Sequence, residues 1–221
     1  MFLFKPKKPE EPKKEETSKE SVDLGIIMKM NQEFAVSLDL NDTLNTALKV
    51  IIDRINAQAA NIFLINEKEK KFECIASLNQ DHLDEYKLDL KDGVMGKAIE
   101  QKKCIRVGDV RKDLREIAEF YFDLDNKTNF TTFSVLCSPL IAGNESIGVI
   151  HCLNKKTDNK LFQEEDRQLL ETLSAPAAFA IRNAKMAKDM IEKNKIQKEV
   201  EIVGEIQKSL LSQNKKDSFP I

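Results

Sequence analysis

The sequence predicts an α+β fold: a six-stranded antiparallel sheet with helices on both faces, extended by long N- and C-terminal helices. Three observations carry that expectation. Residues 134–141 and 146–153 are β-rich runs joined by the short polar connection Ala142-Gly143-Asn144-Glu145, the pattern of an antiparallel hairpin. Residues 60–65 and 72–78 repeat it around the polar turn Asn66-Glu67-Lys68-Glu69-Lys70-Lys71. Before, between and after these pairs, apolar residues recur at helical spacing.

In chain order, residues 5–20, KPKKPEEPKKEETSKE, mix both charge signs with three prolines and no aliphatic residue, so residues 1–20 are expected to form a disordered arm. Val22, Ile26, Met30 and Phe34 then lie on one helical face, predicting an N-terminal helix over 21–38 that packs on another helix, with Gly25 weakening it. Asn41 or Asp42 can cap the next helix, whose stripe is Leu44, Leu48, Ile51, Ile52 and Ile55. Short strands at 87–90 and 104–107 flank a helix over 94–101, and 114–124 is apolar-periodic. In the last hairpin, Gly148 marks a bulge or a close backbone approach. Pro139 cannot donate to a ladder and points to an edge or bulge.

From Glu164 a helical pattern runs to about residue 211, its first turn acidic (Glu164, Glu165, Asp166) as suits a helix N-terminus. Pro176 costs about 3 kcal/mol in an unsupported helix interior, which predicts a kink or restart near 174–176. Beyond it Ala180, Ala184, Ala187 and Ile191, then Ile196, Val200, Val203 and Leu210 after a phase change, form a seam for a two-helix contact. The expected assembly is a homodimer through this helix and the N-terminal one; a single helix docked on its own domain is the alternative.

Composition narrows the function classes. A hydrophobic fraction of 41%, a charged fraction of 33% and a net charge of -2 give no electrostatic case for nucleic acid. No apolar run approaches the ~20 residues of a membrane span, so the expected setting is cytoplasmic. Cys74, Cys104, Cys137 and Cys152 are scattered singly, which reads as buried reduced thiols and not as a zinc site or disulfide frame. His151, alone on a strand, reads as a satisfied or partly exposed histidine, and His82 as solvent-exposed. No metal or catalytic constellation is found, and these residues assign no cofactor.

Three motifs carry a family resemblance. Thr128-Asn129-Phe130-Thr131-Thr132 followed by Leu136-Cys137-Ser138-Pro139-Leu140 resembles the T-G-F-x-T…L-C-x-P-[IL] segment of cyclic-nucleotide phosphodiesterase GAF domains, with Asn129 in place of glycine. Asn154-Lys155, Phe162 and Asp166-Arg167 are similar to their N-K-x(n)-F-x(3)-D-E motif, with Arg167 in place of glutamate. Asp92-Gly93-Val94-Met95-Gly96-Lys97-Ala98 resembles the family's G-[IV]-x-G turn into a short helix. The resemblance reaches over about 38–187. It implies a GAF fold, a non-catalytic sensory domain over 39–187, and a small-molecule ligand, with a cyclic nucleotide first.

The resemblance also assigns roles. In the family the lysine and aspartate equivalent to Lys155 and Asp166 form an ion pair near the pocket mouth, a latch that would include Asn154 and Phe162. The 114–124 helix lies where many GAF domains cover the ligand. Candidate ligand contacts are Arg106 and Asp109 on and after the 104–107 strand, Phe130, Thr131 and Ser134, and Gly93, Met95 and Gly96. A GAF-fold enzyme, the free methionine sulfoxide reductase, needs cysteine where this chain has Met95, which removes a thiolate nucleophile.

A second resemblance is short. Glu205-Ile206-Gln207-Lys208-Ser209-Leu210-Leu211, running on to Phe219-Pro220-Ile221, is similar to the A-x-x-[IV]-Q-x-x-L-L opening segment of bacterial metal-dependent serine phosphatases that regulate stress and sporulation factors. It implies that 188–221 form a signalling linker to a phosphatase effector. Two alternatives stay open: a ligand-free dimerisation or protein-docking module, and a thiol-based redox sensor or reductase.

Overall fold

The computed structural model describes Gly25, residues 39–80, Leu83, residues 87–113 and residues 115–214, with side chains as far as Lys208. The predicted arm, most of the N-terminal helix, His82, Leu114 and residues 219–221 lie outside the described residues.

Helix α1 (Leu40–Ile55) buries Leu44, Leu48, Ile51, Ile52 and Ile55, the predicted stripe. Its cap is not Asn41 or Asp42 but Asp39, whose Oδ1 accepts from the backbone N–H groups of Asn41 (2.8 Å) and Asp42 (3.0 Å). Asp39 has extended backbone, so its carboxylate can turn back onto two donors that the first helical turn leaves unpaired. The helix ends at Asn56, in the left-handed region at φ 54°.

Strands β1 (Ala57–Asn66) and β2 (Lys71–Leu78) form the first hairpin and β3 (Lys87–Asp89) adds an edge. Helix α2 (Gly93–Gln101), β4 (Ile105–Val107) and helix α3 (Arg115–Thr128) follow. Strands β5 (Val135–Ala142) and β6 (Glu145–Lys155) form the second hairpin about Gly143 and Asn144, and helix α4 (Glu164–Asn214) closes the chain. The six strands lie in the order β3-β2-β1-β6-β5-β4 and every neighbouring pair is antiparallel.

Helices cover both faces, which is why β1 and β6 read as nearly continuous apolar runs instead of alternating ones. On the first face, Ile62, Leu64, Leu136 and Ile150 meet the α1 stripe and Leu170, Leu173, Ala177 and Ile181 of α4. On the second, Phe63, Val135, Val149 and Leu153 meet Val94, Met95 and Ala98 of α2 and Ile117, Tyr121 and Leu124 of α3.

Gly148 answers its prediction as a close approach: a Cβ there would stand 2.1 Å from the Phe63 carbonyl oxygen on β1. Pro139 pairs with Val149 of β6, while β4 reaches only from Val135 to Cys137, so the side of Pro139 that lacks a donor lies past the end of β4. Asn129, where the resembling motif has glycine, sits at φ 50°, a left-handed conformation that asparagine tolerates.

Helix α4 does not restart near Pro176 but runs on through it for 51 residues. The proline lies in the stretch held against the sheet by Leu173, Ala177, Ala178 and Ile181, all fully buried, so packing offsets the lost backbone hydrogen bond. Past Ala184 the helix turns from buried to exposed, and Met186, Met190, Ile196, Val200 and Val203 face solvent.

Candidate functional site

The second face of the sheet carries a polar line through an apolar layer. Ser77 of β2 pairs with Asn61 of β1, Asn61 with His151 of β6, and His151 with Cys137 of β5, so four polar side chains stand abreast across four strands. Asn61 and His151 are fully buried. The Ser77 hydroxyl donates to Asn61 Oδ1 (2.7 Å), Asn61 Nδ2 to Gln80 Oε1 (2.7 Å), and Gln80 Nε2 to Thr128 Oγ1 at the end of α3 (3.2 Å). Asn61 in the apolar run Ala59-Ala60-Asn61-Ile62-Phe63 was the available sequence signal for this network.

His151 has a different partner. Its Nε2 lies 2.7 Å from the hydroxyl of Tyr121, about two turns before Thr128 on α3, and the two rings are nearly parallel at 18°. Phe63 packs edge-on at 6.1 Å. The other ring nitrogen, Nδ1, has no hydrogen-bond partner among the described residues. Burial drives the imidazole pKa from 6.5 down to about 3, so His151 is neutral at physiological pH. A buried polar atom left without a partner costs about 1–3 kcal/mol.

Outside Tyr121 lies a cleft of about 680 Å³ between α3 and the segments holding Val110, Arg111 and Thr132. That is within the usual range of small-molecule sites. Tyr121 lines it from within, and its charged groups are Arg111 against Glu119, Asp123 and Asp125. Asp125 grips Thr132 twice, accepting from the backbone N–H (2.7 Å) and from Oγ1 (2.6 Å), and partial burial raises its pKa despite these bonds.

None of the eight residues expected to touch ligand lines this cleft. Arg106 pairs with Leu136, which places it on the first face, and its guanidinium donates to the Phe162 carbonyl (2.8 Å). Asp109 is drawn into its own loop, accepting from Arg111 N–H and pairing with Lys112. Ser134 is buried and accepts from Lys155 N–H, and Thr131 gives its carbonyl to Asn154. Phe130 and Met95 pack in the second core. Gly93, at φ 53°, lies under the Phe120 ring, and a Cβ on Gly96 would strike the Lys91 backbone at 2.5 Å. The α2 turn is therefore a packed support beneath α3.

Asn154, Lys155, Phe162 and Asp166 gather at the far end of the sheet. Asn154, at φ 55°, accepts from the N–H groups of Phe133 (2.7 Å) and Ser134 (3.2 Å) and donates to Gln58 and to the Thr131 carbonyl. Lys155 Nζ donates to Asp166 Oδ1 and to the Ile55 carbonyl at the end of α1, both at 2.7 Å. Asp166 Oδ2 accepts from Gln163 N–H, as an N3 carboxylate does in a capping box. Phe162 is fully buried in the first-face core. The cluster ties α1, β6 and α4 together and reaches the cleft through Asn154 and the strand entry that includes Thr132.

All four cysteines are free and buried. Burial pushes the Cys104 thiol up to about 12 and raises Cys137 and Cys152 as well, opposite to the thiolate that redox chemistry uses. Among the described residues no group of His, Cys, Asp and Glu could hold a metal ion, and no helix is long and apolar enough to cross a membrane.

Residues 37–182 match the family model for the GAF domain, and the chain belongs to that family. Among curated relatives, it is 28% identical to a probable 3′,5′-cyclic phosphodiesterase of Caenorhabditis elegans over 75% of this chain and 21% of that protein. It is 23% identical to a dual 3′,5′-cyclic-AMP and -GMP phosphodiesterase of Takifugu rubripes over 76% of this chain and 19% of that one. The chain thus spans about a fifth of the length of these relatives. Solved structures of the same fold include the GAF domain of an Acinetobacter phosphoenolpyruvate-protein phosphotransferase (TM-score 0.59, 19% identity, 75% of this chain and 95% of that one). Another is the free methionine-R-sulfoxide reductase of Neisseria meningitidis (TM-score 0.60, 17% identity, 76% and 93%). The expected GAF fold, with its six-stranded antiparallel sheet, is the observed one.

Proposed function

We propose that residues 39–187 form a sensory domain that takes a small planar ligand, a cyclic nucleotide first, between α3 and the second face of the sheet, and that residues 188–221 relay the change to an effector. The observation that carries this reading is the polar line Ser77-Asn61-His151-Cys137, whose last three members are buried, beside a cleft of ligand size. A purine needs an apolar slab with a few edge-reading polar groups, and Phe63, Asn61 and His151 are such a set. The phosphodiesterase relatives favour a nucleotide over other planar ligands. Arg111 is the cleft's cation for a phosphate, and the carboxylates beside it favour a base that presents N–H donors.

The test is thermal unfolding against a panel of cyclic mono- and dinucleotides. A ligand at 100 times its Kd stabilises by about 2.7 kcal/mol, a shift of several degrees for a domain of this size. A selective, saturable shift supports the reading; none across the panel removes the nucleotide assignment.

The apolar run Met186, Met190, Ile196, Val200 and Val203 on α4 favours a homodimer seamed along this helix as the relay. The effector that fits the segment around Gln207 to Leu211 is a metal-dependent serine phosphatase. No phosphatase chemistry is assigned to the described residues. The redox alternative has nothing in its favour, given the buried thiols and Met95 at the α2 turn.

A further inference from the structure

Tyr121 separates two features that otherwise belong together. On its outer side is the cleft of about 680 Å³, and on its inner side is the polar line of the sheet. Its ring lies nearly parallel to the His151 imidazole, and its hydroxyl takes up one of the two ring nitrogens while Nδ1 has no partner among the described residues. A planar ring presenting one polar atom in its own plane to a buried histidine is what an aromatic heterocycle would offer. Thr128, two turns further along α3, makes the only other described side-chain hydrogen bond from this helix to the polar network, through Gln80.

We propose that Tyr121 is a built-in ligand mimic: the cleft and the polar line are two halves of one site, and a heteroaromatic ligand enters by displacing the Tyr121 hydroxyl from His151 and taking its place. This rests on the sensory reading above and adds the residue that closes the site and the residue that reads the ligand. The closed arrangement is then the ligand-free state, and the open one is a minor state that ligand makes dominant. Apparent affinity falls by the fraction of molecules that are open, so whatever loosens Tyr121 tightens binding by the same factor.

Cys137 reports on this directly. It is fully buried on the second face opposite His151, whereas Cys152, equally buried, is on the first face beneath α1 and α4. Movement of Tyr121 and α3 uncovers the first thiol and not the second. The experiment is iodoacetamide labelling of the native chain, resolved by peptide, in wild type and in Tyr121→Phe, which removes the hydroxyl and keeps the ring. Calorimetric titration with cyclic GMP and cyclic AMP runs alongside, adding His151→Leu.

Cys137 is expected to react at least tenfold faster than Cys152, and Tyr121→Phe to raise its rate about five- to tenfold with Cys152 unchanged. A bound nucleotide is expected to gain affinity in Tyr121→Phe by that same factor and to lose at least tenfold in His151→Leu. If both thiols react at one rate that follows global unfolding, Tyr121 is ordinary core and the proposal fails. If a nucleotide binds wild type and Tyr121→Phe equally, the mimic fails while the sensory reading stands. If neither nucleotide binds yet Cys137 opens ahead of Cys152, the nucleotide assignment fails and the gate stands.

Discussion

Asp166 divides its two carboxylate oxygens between Lys155, at 2.7 Å, and the backbone N–H of Gln163, so one side chain both pairs a cation and caps a helix. Lys155 in turn holds the Ile55 carbonyl. The side chains of the pair are only 12% and 13% exposed, closer to a buried pair than to a surface one. Asp166→Ala is expected to lower the stability of the ligand-free protein by about 2–4 kcal/mol, read from urea unfolding, because it leaves an ammonium group without its counter-ion and a helix start without its cap. An unchanged midpoint would show that the pair serves only a liganded state.

Asn154 makes four hydrogen bonds from one side chain in a left-handed backbone conformation. Asn154→Ala removes all four and adds backbone strain, for an expected loss of about 3 kcal/mol or more. Amide exchange should show Phe133 and Ser134, whose N–H groups lose their acceptor, opening before the rest of β5.

His151 makes stability depend on pH in a definite direction. Its folded pKa, about 3, is below the ordinary 6.5, so as pH falls through 6.5 the unfolded chain takes up a proton that the folded chain refuses. Stability is therefore lost from pH 6.5 downward until the folded imidazole itself charges near 3. Between pH 6 and 5 the contribution is about 1 kcal/mol per pH unit, and His151→Gln should remove it. Asp125 acts in the opposite sense: its raised pKa favours the folded state as pH falls through that value. An identical pH slope in wild type and His151→Gln would contradict the buried neutral imidazole.

Gly148→Ala tests the sheet itself. With a Cβ 2.1 Å from a backbone oxygen on β1, the two central strands must part, and an expected loss of several kcal/mol should leave little folded protein at 37 °C by circular dichroism. Alanine at Gly204, where nothing lies within 4 Å, is the matched control and should be neutral or slightly stabilising.

For the proposed helix seam, Val200→Lys together with Val203→Glu is expected to convert a dimer to a monomer in sedimentation experiments without lowering the melting of the sheet domain, since both side chains are exposed in the single chain. A monomeric wild-type chain would end that proposal.

The elements were legible where local chemistry decides them. Alternating and continuous apolar runs located every strand, Gly148 announced its close approach, and the α1 stripe needed only periodicity. Misreadings arose where several residues compete or where facing matters. Asp39, Asn41 and Asp42 can all cap a helix, and only the chain path into Leu40 selects the first. Arg106 is one residue from facing the other way, and a single step of the strand carries it from the α3 face to the α4 face. The Tyr121–His151 contact spans 30 residues and two layers, so no local pattern encodes it; what the sequence did offer was a lone histidine on a buried strand.

Helix α4 is 51 residues long. Its first third is clamped to the sheet, while residues 188–214 extend as a single rod about 40 Å long at 1.5 Å per residue. A rod of that length is a lever with its fulcrum near Ala184. Tilting its base by 5° carries the far tip about 3.5 Å, the distance between one side-chain contact and the next. A tilt at the sheet too small to break a hydrogen bond would thus be magnified at the tip into a change of neighbours.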